Sequence, residues 1–416
     1  MKKANKIVWI IMIALYINIT GCTDKITEPI QPPTPSELFM YRVVNDGIAV
    51  EITGFNGYNM DVVIPETIAG RPVVGLGESS FERRQIHSVI IPNSITMIGK
   101  RAFCYNFSLT SINIGNSVTT IGEMSFWQNN LTNLTIPNSV TTIEIGAFAL
   151  NQLTNITLGN SVATIGYNAF YGNQLTSVII PNSVTYLSGF DSNQLTSIDI
   201  PNSVTTIGFR AFYANQLTSV IIGNGVTKIG EDAFSRNQLM NVTIPNSVTM
   251  IEAGAFYSNQ ITSVTIPNSV TTIEVSAFSS NQLTSVVIPN SVSYLSGFDY
   301  NQLTSLTIPS SVITIGEFAF SDNLLNNVNF PSSVIAIEGY AFANNRLTSV
   351  VIPNSVTTIG WRAFFSNQIT SVTIPNDLDL DYDSAGGFGG NFIDVYSKIG
   401  GTFTRPTPDS DVWTRM

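Results

Sequence analysis

The chain has 416 residues, only 11% of them charged, and its 18 basic and 28 acidic side chains give a net charge of −10. That balance excludes the basic surface that nucleic acid calls for. One histidine, His87, and two cysteines, Cys22 and Cys104, leave too few ligands for a Cys/His metal cluster and no redundancy for a Cys-His catalytic pair.

In chain order, Met1 to Lys6 is basic, Ile7 to Ile19 is apolar, and the run ends at Ile19-Thr20-Gly21-Cys22. This is the pattern of a signal peptide over residues 1–21. An apolar stretch of about 15 residues falls short of the roughly 20 that a spanning helix needs. Its end resembles the bacterial lipobox, which implies lipid attachment at Cys22 and contact with the membrane through that lipid only. Secretion without a lipid, or an uncleaved anchor, is the alternative. Residues 22–37 read as a tether, since Pro29, Pro32, Pro33 and Pro35 favour extended polyproline II geometry. Residues 38–90 read as an N-terminal cap and first coil, with a hairpin turn at Asn45-Asp46-Gly47.

From residue 91 to 386 a block of the form I-P-N-S-V-T-T-I-G-x-x-A-F-x-x-N-Q-L-T-S-V-x recurs, nearly always at 22-residue spacing. A repeat of that period predicts a solenoid of about 14 stacked coils. In residues 200–221 the alternating Ser219-Val220-Ile221 run continues to Ile222 and predicts a short parallel strand. Pro201 closes the preceding strand, because proline has no N–H to donate to a neighbour. The Ala211-Phe212 step predicts a single helical or 3₁₀ turn on the opposite side, with Phe212 inside the coil. Leu217, Val220, Ile222, Val226, Ile229, Ala233 and Phe234 are the expected inward set. One coil cannot bury its own faces, so only the stack is stable. Asn151, Asn173, Asn193, Asn215 and their equivalents up to Asn367 each stand two residues before the strand's leading Leu or Ile. An amide both donates and accepts, so these residues predict a buried ladder that satisfies loop backbone; a glycan or ligand role is the alternative.

The repeat resembles the BspA-type leucine-rich repeat family of bacterial surface proteins, over about residues 39–396. That family carries a cysteine three residues after its Ala-Phe pair, and here Asn215 follows Phe212 at that offset. The resemblance implies a leucine-rich repeat solenoid with a curved parallel sheet, exposure at the cell surface or outer membrane, and binding to proteins or other cells. It implies no catalysis, cofactor or small-molecule substrate.

Two coils are only 20 residues long: V-T-Y-L-S-G-F-D-S from Val184 and V-S-Y-L-S-G-F-D-Y from Val292. They lie 108 residues apart, four 22-residue coils plus one of 20, as a duplicated five-coil block would place them. Each is expected to leave a notch, floored by Tyr186, Phe190 and Asp191 or by Tyr294, Phe298 and Asp299, roughly 24 Å apart at strand spacing. These six residues are the candidate ligand contacts; a deletion copied by the duplication is the competing explanation. The outward strand positions carry one charge, Asp199, among hydroxyls, amides and aliphatics such as Ile179, Ile221 and Val287. Around the Ala-Phe turn, Phe209-Arg210, Tyr213, Arg236, Tyr257, Trp361-Arg362 and Phe365 suit a protein interface.

Asp377, Asp379, Asp381 and Asp383 alternate. A solvated acidic face is the expectation, because position twelve of a calcium loop would fall on Phe388 rather than Glu. Residues 387–416 read as a C-terminal hairpin cap, with Ile393, Val395, Phe403 and Trp413 over the last coil. No nucleophile stands beside a base in any unusual segment, so the chain does not read as an enzyme. The expected function is a lipid-anchored surface adhesin or recognition module for a protein or glycan. A spacer or coat protein that binds copies of itself is the second class.

Overall fold

The computed structural model describes residues 32–376, 378–380, 387, 388, 392, 396 and 398–416. The signal peptide and Cys22 lie outside these residues, as do Asp377, Asp381, Asp383, Ile393 and Val395. Met1–Pro33 and Thr34–Met416 are separate units. In the first, the two described prolines, Pro32 and Pro33, are exposed. The second is the solenoid, and it begins inside the span expected as tether: Thr34 N donates to Val63 O and Val63 N to Thr34 Oγ1, both at 2.9 Å. Ser36–Leu38 then makes a 3₁₀ turn.

The N-terminal hairpin pairs Phe39–Val44 antiparallel with Ala49–Phe55 around Asn45–Gly47, where Asn45 and Asp46 take φ of 51° and Gly47 of 93°. Ala49–Phe55 then starts the parallel order by pairing with Arg71–Leu76.

Each coil contributes two strand sites. The one predicted from the Pro-terminated run forms in short pieces, such as Ser197–Ile200 with Ser219–Ile222 and Asn241–Thr243 with Ser263–Thr265. The longer seam lies at the Thr-Ile pair of each V-T-T-I. Two-residue strands such as Thr206–Ile207 and Lys228–Ile229 there join the 13-stranded sheet that starts at the N-terminal hairpin. The Pro-terminated strands are short and parallel as expected, and the Thr-Ile seam is a second strand site that the sequence reading did not anticipate. The Pro-terminated side ends every strand at a proline or glycine, whereas the Thr-Ile side has no proline and two β-branched residues in most coils. Threonine hydroxyls reinforce the seam by reaching back one coil, as from Thr227 Oγ1 to Thr205 O at 3.1 Å.

The Ala-Phe side is also not helical. Arg210 and Ala214 take φ of 50° and 51°, left-handed values that a helical turn excludes. Left-handed backbone costs about 1–2 kcal/mol per residue. It is offset here by a third hydrogen-bonded seam, in which Arg210 N donates to Glu231 O at 2.9 Å, Phe212 N to Ala233 O at 2.8 Å and Ala214 N to Ser235 O at 3.0 Å.

The interior is ordered in columns. Phenylalanines stack from Phe81 through Phe388 with centroids 4.8 to 5.9 Å apart and planes within 16°. Beside them runs the asparagine ladder. Asn215 Nδ2 donates to the carbonyls of Phe190 and Phe212 at 2.8 and 3.2 Å, and its Oδ1 accepts from Leu195 N at 3.0 Å. The ladder starts earlier than expected, at Asn106, which bonds Phe81 O, Phe103 O and Ile86 N. The inward set is as predicted except that Val220 is half-buried.

At the C-terminal end, Ser371–Ile374 pairs antiparallel with Gly401–Thr404, which pairs with Thr414–Arg415. Phe403 and Trp413 are buried under this hairpin, and the Arg405 guanidinium lies 4.8 Å over the Trp413 ring.

Candidate functional surface

The short coils omit two residues between the Thr-Ile seam and the Phe column. The corner is cut by Gly189 and Gly297, each at φ of 90°; a side chain there would strike the backbone of Gly166 and Ala169, or of Glu274 and Ala277. Phe190 and Phe298 are therefore fully buried and stay in the stack, and neither can floor a notch. Asp191 and Asp299 are buried as well. Of the six expected contact residues only Tyr186 and Tyr294 are accessible, 37% and 44% exposed. The hydroxyl ends of their rings lie against Gly208 and Gly316 of the following coil.

Burial raises the Asp191 carboxyl to about 7, against weaker opposing effects from a backbone hydrogen bond and Arg210. With its amide nitrogen turned inward, Asn168 donates to Asp191 Oδ1 at 3.0 Å and Oδ2 at 3.1 Å. The opposite amide orientation suits the neutral acid, which then donates to the amide oxygen. Burial also raises Asp299, opposed by the Ser279 hydroxyl, which donates to Asp299 Oδ2 at 2.7 Å. Both carboxyls belong to the coil's interior and not to its surface.

The accessible chemistry lies on the turn side. Tyr167 and Phe209 meet across the first short coil with centroids 5.2 Å apart. The Arg210 guanidinium sits 5.0 Å over Phe209 and 4.7 Å over Tyr213 while its Nε bonds Asp232 at 3.2 Å. Arg236 extends the row, 5.6 Å over Tyr213. A second row follows the second short coil. Phe318 stacks on Tyr340 at 4.9 Å, Tyr340 meets Trp361 edge to face at 4.9 Å, and Arg362 covers Trp361 and Phe365 at 4.6 and 4.7 Å.

Sequence reading found the arginines and most of these rings but passed over Tyr167, Phe318 and Tyr340. The signal was available, because Phe318 and Tyr340 hold the same repeat position 22 residues apart. His87, the single histidine, bonds Asn59 Oδ1 at 2.9 Å. Among the described residues no three His, Cys, Asp or Glu converge as a metal site.

Stacked parallel coils, an amide ladder and an aromatic column define a leucine-rich repeat solenoid. The BspA-type leucine-rich repeat region model matches residues 75–189, 187–298 and 295–385, and the chain belongs to that family. Among solved structures, a leucine-rich cell surface protein of Faecalibacterium prausnitzii is similar at 21% identity, with 80% of this chain and 91% of that one covered and a TM-score of 0.42. A leucine-rich repeat protein of Bacteroides ovatus shares 18% identity over 82% of this chain and 88% of its own, with a TM-score of 0.46. No functionally curated protein matches the chain.

Proposed function

We propose that this chain is a surface-displayed binding protein, lipid-anchored at Cys22, that recognises a protein partner through the aromatic and arginine rows of its turn side. The supporting observation is the Phe318–Tyr340–Trp361–Arg362 row, in which Phe318 and Trp361 are exposed and Tyr340 and Arg362 half-buried, because tryptophan and arginine are side chains that dominate binding energy at protein interfaces. Phe318 and Tyr340 cover one face of each other and Arg362 covers one face of Trp361, which leaves less open ring face for a sugar to stack on. A protein ligand is therefore favoured over a glycan. No group on this surface is set up as a nucleophile with a base, and the work assigned to it is binding rather than catalysis.

The full-length chain, displayed on cells or vesicles, is to be screened against extracellular-matrix and cell-surface proteins and a glycan array. Trp361→Ala is expected to weaken the protein interaction by about 30-fold or more, the scale of an interface hot spot, with only the small fall in melting temperature that losing the Tyr340 contact brings. Undiminished binding in Trp361→Ala and in Arg210→Ala with Arg236→Ala overturns the assignment. Cys22→Ser is expected to abolish palmitate incorporation and release the chain from the membrane fraction.

One observation supports the second reading, self-association. Among the described residues the strand Phe39–Val44 pairs on one edge only, and it exposes Met40, Tyr41 and Val43. Sedimentation at rising concentration separates the two: a dimer broken by Val43→Lys belongs to a coat or spacer, a monomer throughout to a recognition module.

A further inference from the structure

The Pro-terminated strand side carries a groove of about 520 Å³ that no part of the turn-side surface touches. Two isoleucines stand on its rims, Ile179 at 87% and Ile221 at 64% exposure, and Asp199 lies between them. Singly exposed aliphatics are ordinary on a protein surface. Here two of them flank the only charge in the outward strand row, and among the described residues that carboxylate has no ion-pair partner.

The backbone pairing is interrupted beside it. Asn133–Thr135 pairs with Asn155–Thr157, and Ser197–Ile200 pairs onward with Ser219–Ile222. The segment 178–180 between them takes no backbone hydrogen bond from either side. Because coils stack on both sides of this segment, its N–H and C=O groups point toward those coils, and what the groove offers a ligand is side chains: exposed aliphatics and one negative charge.

We propose that this groove binds an extended peptide segment carrying a lysine or arginine between two aliphatic side chains. Adjacent coils are about 4.8 Å apart, so the isoleucines are separated by roughly 10 Å. That is the distance between side chains three residues apart in a polyproline II segment, about 3.1 Å per residue, so the rims hold the two aliphatics while Asp199 pairs with the cation between them. No aromatic ring lines the groove, which disfavours a saccharide. The duplicated block supplies an internal control, because the same positions there are Val287, Thr307 and Asn329, without a carboxylate.

The test uses the full chain and fluorescence anisotropy with labelled dodecapeptides centred on Leu-Pro-Lys-Leu or Leu-Pro-Glu-Leu, and with a β-glucan hexasaccharide. The lysine peptide is expected to bind saturably and at least about tenfold more tightly than the glutamate peptide. Asp199→Lys reverses that order, Ile179→Ser weakens both without reversing it, and Trp361→Ala changes neither, which separates this site from the turn-side surface. Installing Thr307→Asp with Asn329→Ile raises the stoichiometry toward two. Equal binding of the two peptides, absence of saturable binding by either, binding of the hexasaccharide instead, or indifference to Asp199→Lys each overturns the proposal.

Discussion

The coils beginning at Val184 and Val292 have nearly the same sequence, yet they join their neighbours differently. At the first, the Thr-Ile seam runs through: Thr164 pairs with Tyr186 and Tyr186 with Thr206. At the second, among the described residues, Thr272–Ile273 does not pair with Tyr294–Leu295, and the large sheet ends there. A new sheet starts with Tyr294 against Thr314. The turn seam and the amide ladder cross both sites, from Phe170 N to Gly189 O and from Phe278 N to Gly297 O, each at 2.8 Å.

What differs is the surroundings. Thr185 N bonds Ala163 O at 2.9 Å, where Ser293 replaces the β-branched residue. The Tyr167–Phe209 contact that spans the first site becomes Val275 and Glu317 at the second. Tyr294 instead donates to Glu338 Oε2 at 3.0 Å, two coils onward. A deletion in a solenoid is thus tolerated when its flanks reach across it, and becomes a weak joint when they do not.

The largest expected effect comes from the ladder. Asn193→Ala and Asn301→Ala each strand one buried N–H, that of Leu175 or Leu283, and remove one of the two amide donors from each of two Phe carbonyls; about 1–3 kcal/mol for the stranded group and about 0.5–1.5 kcal/mol per lost bond give about 2–6 kcal/mol in all. Asn193→Ala is expected to melt in one transition at lower temperature, and Asn301→Ala in two, because the second joint has one seam fewer. Single transitions for both in calorimetry would break the comparison.

Next in size is a pH effect at the first site. Folded Asp191 titrates at about 7, whereas the unfolded carboxyl titrates near 4. Between those values the folded state holds a proton that the unfolded state has lost, so stability is greatest below about pH 4 and falls as pH rises to about 7, by on the order of 3–4 kcal/mol. Asp191→Asn should remove that slope in melts from pH 4 to 8. Asp299→Asn should remove a shallower one, because Ser279 offsets part of the burial.

The smallest effect tests the bridge itself. Hydrogen exchange at Ser293 to Leu295 is expected to be about fivefold faster than at Thr185 to Leu187, the consequence of about 1 kcal/mol of missing backbone pairing. Val275→Tyr with Glu317→Phe should narrow that gap and add about 0.5–1.5 kcal/mol, the value of an aromatic pair. Unaltered exchange would show that the serine, and not the bridge, sets the difference.

Much of this molecule was legible from residue types alone. Proline marks where a strand must stop, a recurring Phe fills a fixed interior point, and an amide two residues before each strand has only backbone to bond. These are constraints within one or two coils, and the 22-residue period repeats them. The candidate site was less legible. Phe190 and Asp191 were placed in a notch because the short coils lack a turn, but Gly189 closes that turn tightly enough to keep both inside. Nothing in a single coil's sequence says whether a missing loop leaves a hole or draws its flanks together.

By itself the sequence determined a stacked parallel solenoid, its inward residues and its amide ladder, because each follows from hydrogen-bond capacity or hydrophobicity read at a fixed period. Tertiary structure alone decided which seam carries the long sheet, which short coil is bridged, and where exposed rings, arginines and a lone carboxylate come together. Those outcomes depend in large part on contacts between residues 20 to 44 apart, such as Tyr294 with Glu338. Only the stacking of coils brings such pairs within reach.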